Sequence, residues 1–278
     1  MFLKKTNIIL ILAFSLTNFL FADDKGYARL EGDIFYVGNN KIERSFQWNK
    51  GNLVTLKVTD KINGKEWENR VKQADFFVPG QSEKDMKAGT WNIKRIEDNV
   101  SVPYTEVTVE YALEKLSIRR VFRIYDDCPA IGIDTYLQGK ANKDWIVQKK
   151  DLGQWTYLPQ RNIISQEPEI PVLDRMSFGG KHWKLELIEF TDNSDSHNTF
   201  VKHHSEIAYH ENVYKGNILF FGNMENDFGL FYLKESPLAP SQLSYPGADF
   251  IVRDGDVKTI GIGITATDLQ GPDWIKTY

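Results

Sequence analysis

Apolar and polar residues along this chain alternate with a period of two in nearly every stretch that has any period. In "YTEVTVEYAL" the residues Val107, Val109 and Tyr111 fall on one face, while Glu106, Thr108 and Glu110 fall on the other, as a half-buried strand requires. "LSIRRVFRIY" places Leu116, Ile118, Phe122 and Ile124 on one face in the same way. Only Glu114 and Lys115 separate the two stretches, so they are predicted to pair as a hairpin. Val54, Leu56 and Val58 alternate toward Asn63-Gly64, a dipeptide suited to the type I′ turn with positive φ at both central residues. Further strands are expected at 27–37, 41–48, 90–97, 130–138, 183–190, 217–223, 228–234 and 257–266.

No stretch of ten or more residues shows a capped amphipathic helix. More than ten strands without helices predict an all-β chain built as a large antiparallel β-sandwich. Residues 153–178 hold three prolines and little alternation, which reads as a long excursion over the surface. No internal repeat or low-complexity run interrupts the pattern, and no domain boundary is expected before about residue 268.

The first residues change the picture of location. Lys4 and Lys5 precede an apolar run from Ile8 to Phe21, and Ala22 is followed by Asp23 and Asp24. This is the layout of a secretory signal peptide covering 1–22, and the run is shorter than the roughly 20 apolar residues a membrane span needs. The chain is therefore expected to be exported, to the periplasm or beyond, with no stable membrane span after cleavage. The sandwich domain is expected at 23–268. Formal net charge is only −4, and basic residues cluster no further than pairs such as Arg119-Arg120 and Lys149-Lys150. A surface that tracks phosphates has no electrostatic basis, so nucleic acid is not an expected partner.

Candidate chemistry is sparse. Cys128 is the single cysteine and reads as a buried, inert thiol. In "DSHNTFVKHHSEIAYH", His203 and His204 are adjacent and would face opposite sides of a strand. His204 and His210 agree in parity but would lie about 20 Å apart, so a polar loop is expected here and no metal site. Asp126-Asp127 and Asp254 with Asp256 read as turn acids. No nucleophile elbow, phosphate loop or zinc-helix motif is present, so no catalytic residue and no cofactor is expected. Among seven tryptophans, Trp67, Trp155 and Trp183 stand in or beside predicted loops, where flat rings can stack on sugars, although a tryptophan more often fills a core or an edge.

Three segments carry a resemblance. "NNKIERSFQWNKGNLVTLKVTDKINGKEW", "FFGNMENDFGLFYLKESPLAPSQLSYPGADF" and "GIGITATDLQGPDWIKTY" resemble, in order, the N-terminal region of bacterial secreted α-galactosidases of the melibiase type, glycoside hydrolase family thirty-six and its relatives. The resemblance implies a β-supersandwich of the galactose-mutarotase type placed before a catalytic (β/α)₈ barrel. The family's catalytic aspartates lie on that barrel, so none is carried over to this chain. It also implies that 269–278 begins a linker toward the barrel as a missing C-terminal partner, and that galactosides are the carbohydrate to expect. Two alternatives stay open: an aldose epimerase using His197, whose surroundings "DSHNTFV" depart from that family's Asn-His-x-Tyr-Phe-Asn motif, and a lectin-like module binding through Trp155.

Overall fold

The computed structural model of the chain describes residues 25–84, 86–98, 100–140, 171–192, 199–225, 228–235, 249–260 and 269–277. Among these residues there is no helix, and every strand pair is antiparallel. The predicted leader, 1–22, lies outside them.

The first sheet runs in chain order through β1 (Tyr27–Glu31), β2 (Ile34–Gly38), β3 (Ile42–Gln47), β4 (Val54–Asp60) and β5 (Lys65–Glu68). The stretch expected as one strand at 27–37 is a hairpin instead. Gly32 takes φ 63° and Glu31 pairs with Ile34, so the chain reverses through two residues with positive φ at the first, as a type II′ turn does. The predicted type I′ turn at Asn63-Gly64 is also corrected. Asp60 pairs with Lys65 across four residues, and only Gly64 is left-handed, at φ 64°. The Asp60 carboxylate accepts bonds from the Ile62 and Asn63 amides at 2.9 and 3.1 Å, and this side-chain turn takes over the reversal.

A second sheet has the order β18 (Ile275–Lys276), β9 (Ile131–Gly139), β8 (Leu116–Tyr125), β7 (Tyr104–Ala112) and β6 (Thr90–Ile96). The predicted hairpin is β7 and β8, with Ala112 opposite Ser117. The closing stretch is integrated into this sheet. Ile275 pairs with Leu137, the Arg119 guanidinium lies 4.1 Å from the Trp274 ring centre, and the Thr277 hydroxyl donates to the Thr135 carbonyl at 3.0 Å.

These two sheets face each other over a core of fully buried Phe35, Val37, Phe46, Val107, Ile118, Phe122 and Ile124. Phe46 and Phe122 meet across it, ring centres 5.6 Å apart. Burying one such side chain stabilises the fold by about 1.5–3 kcal/mol, so the alternation seen in the sequence carries most of the driving force.

The other half stacks two four-stranded sheets. One has the order β10 (Val172–Ser177), β17 (Asp256–Ile260), β16 (Phe250–Arg253), β13 (Asn212–Tyr214). The other has the order β12 (Thr199–Ile207), β11 (Trp183–Asp192), β14 (Ile218–Asn223), β15 (Phe228–Leu233). Leu185, Leu219, Phe221, Phe250, Val252 and Val257 fill the space between them. Two expectations fail here. Residues 172–177, assigned to the surface excursion, are the paired strand β10, because Val172 and Met176 fit the buried face. The histidine-rich stretch expected as a loop is β12, fully paired with β11.

The two halves share the first sheet. One face of it carries Phe35 and Phe46 into the first core, and Val58 and half-buried Trp67 into the second. Arg44 sits between them on that same face, opposite Val58.

Candidate functional site

The point where the two cores meet is charged. On β3 the apolar face reads Ile42, Arg44, Phe46, and on β8 it reads Leu116, Ile118, Arg120, Phe122, Ile124. Both arginines therefore project inward with their apolar neighbours, and Arg120 has no exposed surface. A buried guanidinium is tolerated only when paired. Here two carboxylates provide the pairing: Asp75, from the segment between β5 and β6, and Asp174 of β10.

Arg44 meets Asp174 through two parallel bonds, Nη1 to Oδ2 and Nη2 to Oδ1, both 2.9 Å. Its Nη2 also donates to Asp75 Oδ2 at 3.0 Å. Arg120 Nη2 donates to Asp174 Oδ1 at 3.1 Å, and its Nη1 lies 3.8 Å from Asp75 Oδ2. The Thr55 hydroxyl closes the network, donating to Asp75 at 2.6 Å and accepting from Arg44 Nη2 at 2.6 Å. The Thr55 amide donates to Asp75 Oδ1 at 2.8 Å. One cluster thus ties three of the four sheets together, with two positive and two negative groups.

The electrostatics follow from burial. Desolvation raises the Asp75 carboxyl above the usual carboxylate range, against the pull of the Arg44 and Arg120 guanidinium groups. Desolvation likewise raises the phenols of buried Tyr111 and half-buried Tyr232, whose hydroxyl oxygens are both buried beside the network. Among the described residues, the two phenol oxygens and Arg120 Nε and Nη1 have no hydrogen-bond partner.

This cluster was not among the sequence candidates. A signal for it existed: Arg44 and Arg120 stand in phase with apolar residues, where a charge demands a partner.

The candidate tryptophans fare differently from one another. Trp67 and Trp183 are brought together on Phe228. Trp67, on β5, stacks on that ring with centres 3.5 Å apart, and Trp183 meets it edge-on at 5.7 Å. Trp183 also stacks on Phe221 at 4.4 Å, and its Nε1 donates to the Gly179 carbonyl at 2.8 Å. With 2% of its surface exposed, Trp183 is a core residue at the start of β11 and presents no free face. Trp67 remains half-buried. Trp155 and His197 lie outside the described residues.

His203 and His204 project to opposite faces of β12, each toward its own carboxylate: His203 lies 3.6 Å from Glu186, and His204 lies 2.8 Å from Glu206. No group of three potential metal ligands occurs among the described residues. The acids at 126, 127 and 254 sit in turns, with Asp127 at φ 55° and Asp254 at φ 45°. Asp126 is held by Arg95 at 2.7 and 2.5 Å, while Asp127 pairs with Lys41 at 2.6 Å. Asp256 opens β17 and accepts from the Ser177 hydroxyl. Cys128, expected to be buried, is half-exposed just beyond that turn, where its carbonyl accepts from the Asn39 side chain at 2.8 Å.

No protein-family model matches the chain, and no curated protein matches it in sequence.

Proposed function

We propose that this chain is a non-catalytic, carbohydrate-associated β-sandwich region of an exported α-galactosidase-like glycoside hydrolase, whose reaction is performed by a separate catalytic barrel. One observation carries the reading. Two of the three sequence segments that resemble the N-terminal region of those enzymes lie far apart in the chain, yet they meet in space. Residues 39–67 build β3 to β5, residues 220–250 supply β15 and most of β14, and Trp67 of the first segment stacks on Phe228 of the second. Two segments of one N-terminal region are expected to pack together in its domain, and this contact is what such a domain requires.

On this reading the region acts as a rigid platform. Its contribution to sugar recognition comes through aromatic rings, with half-buried Trp67 near the join as the described candidate and Trp155, outside the described residues, as the second. The test has two parts. The purified chain is incubated with an aryl α-galactoside, and turnover is expected to be absent; measured hydrolysis would sink the proposal. Tryptophan fluorescence is then titrated with galactose and an α-galactoside disaccharide. A saturable change that weakens about tenfold in Trp67→Ala or Trp155→Ala supports sugar contact by this region. No response to either sugar removes the carbohydrate-associated part of the reading.

A further inference from the structure

The outer face of the β12-β11-β14-β15 sheet breaks the rule that solvent faces are polar. Inward positions on these strands, such as Leu185, Leu219 and Phe221, are buried. The alternate, outward positions should carry polar side chains. Instead they include Phe190, Val201, Ile207, Phe220, Phe231 and Leu233, between 37% and 61% exposed. Register brings them together: Phe220 lies opposite Phe231, with rings 6.3 Å apart, and Phe190 lies opposite Val201. Half-buried Ile188 and Ile218, directly paired, join the two groups into one surface.

We propose that this face is a two-fold dimer interface, covered by the same face of a second copy of the chain. The first argument is area. The six side chains leave about 500 Å² of apolar surface in water, at the upper end of what a typical monomer exposes. A stable homodimer buries roughly 800 Å² per partner, about 65% of it apolar, which again is about 500 Å². The second argument is charge. The outward positions of the four strands hold one lysine, one glutamate, one histidine and, at the end of β11, one aspartate, Asp192; Lys184 and Glu186 neutralise each other at 2.5 Å. A face whose formal charge is only −1, from Asp192 at the end of β11, meets its own copy with little repulsion, whereas an anionic surface or nucleic acid would call for basic excess. Two such sheets pack about 10 Å apart, with side chains interdigitating as in any sandwich.

Sedimentation equilibrium at chain concentrations from about 1 to about 100 µM decides the matter. The expected result is twice the chain mass at the upper concentrations. Phe231→Asp places two buried carboxylates in the interface by symmetry and should raise the dimer dissociation constant about 100-fold or more, with an unchanged far-ultraviolet spectrum. Leu233→Lys should do the same. Val100→Asp, at a fully solvated site, should leave the mass unchanged. A native monomer at about 100 µM overturns the proposal. So does a dimer indifferent to both substitutions, or a Phe231→Asp chain that melts earlier at unaltered mass, which would mean that the chain covers this face itself.

Discussion

Arg95 and Asp126 show how one pair on the surface can set a pH response. The hydrogen bonds from Arg95 hold the Asp126 carboxyl below its ordinary range. The folded state therefore takes up that proton less readily than the unfolded chain. The stability it contributes is present above the unfolded value, near pH 4, and is lost as pH falls through the lower folded value. Glu43 is also lowered: burial opposes the shift, but bonds from Tyr27 and Arg29 and the charge of Lys61 outweigh it. Melting temperature is thus expected to fall as pH drops below about 4.5, the unfolded carboxylate range. In Arg95→Met the fall should be shallower, because the folded and unfolded values at Asp126 converge. Parallel curves for the two proteins would show that Asp126 contributes nothing.

At the scale of the element, turns separate what pattern can predict from what contacts impose. Gly64 has φ 64° and open space around its missing Cβ. Gly64→Ala is expected to cost about 1 kcal/mol, from the left-handed conformation alone. Gly255, between β16 and β17, is limited by a neighbour instead: a Cβ there would lie 2.1 Å from the Gly179 carbonyl oxygen. That backbone is held in place, since the same loop receives the Trp183 indole and the Phe178 amide donates to the Gly255 carbonyl at 2.9 Å. Gly255→Ala should therefore cost about 3 kcal/mol. Urea denaturation of both variants gives the comparison, and a smaller loss at 255 than at 64 would contradict the packing argument.

Across the whole molecule, the Arg44, Asp75, Arg120 and Asp174 cluster is the joint between the two halves. Backbone contacts reinforce it, with Phe77 and Val172 exchanging amide bonds at 2.9 and 2.8 Å and the Arg70 amide donating to Ser177 at 2.7 Å. Breaking a buried ionic set by removing one member leaves uncompensated charge, typically at a cost of about 3–5 kcal/mol. Asp174→Ala leaves two guanidinium groups facing Asp75 alone and should destabilise the protein by about that amount in urea titration. A loss below about 1 kcal/mol would mean that the charges are solvated and that apolar packing alone holds the halves together.

The sequence by itself determined the strands whose alternation is strict. Val107, Val109 and Tyr111 face inward, as do Leu116, Ile118, Phe122 and Ile124, because an apolar side chain gains most by leaving water and a strand turns every second one the same way. Antiparallel, all-β architecture followed from the same period. Local pattern was silent where a partner supplied the constraint. Strand β10 is half polar in sequence and becomes a strand because β17 pairs with it and because Asp174 answers two arginines more than fifty residues away. Trp183 stood beside a predicted loop, yet Phe221 and Phe228 enclose it. Arg44 and Arg120 were in phase with the apolar face, but only the tertiary structure could name Asp75 and Asp174 as their partners. Which charges meet in a core depends on contacts between distant strands, and a single strand's periodicity carries no information about its neighbour across the sandwich.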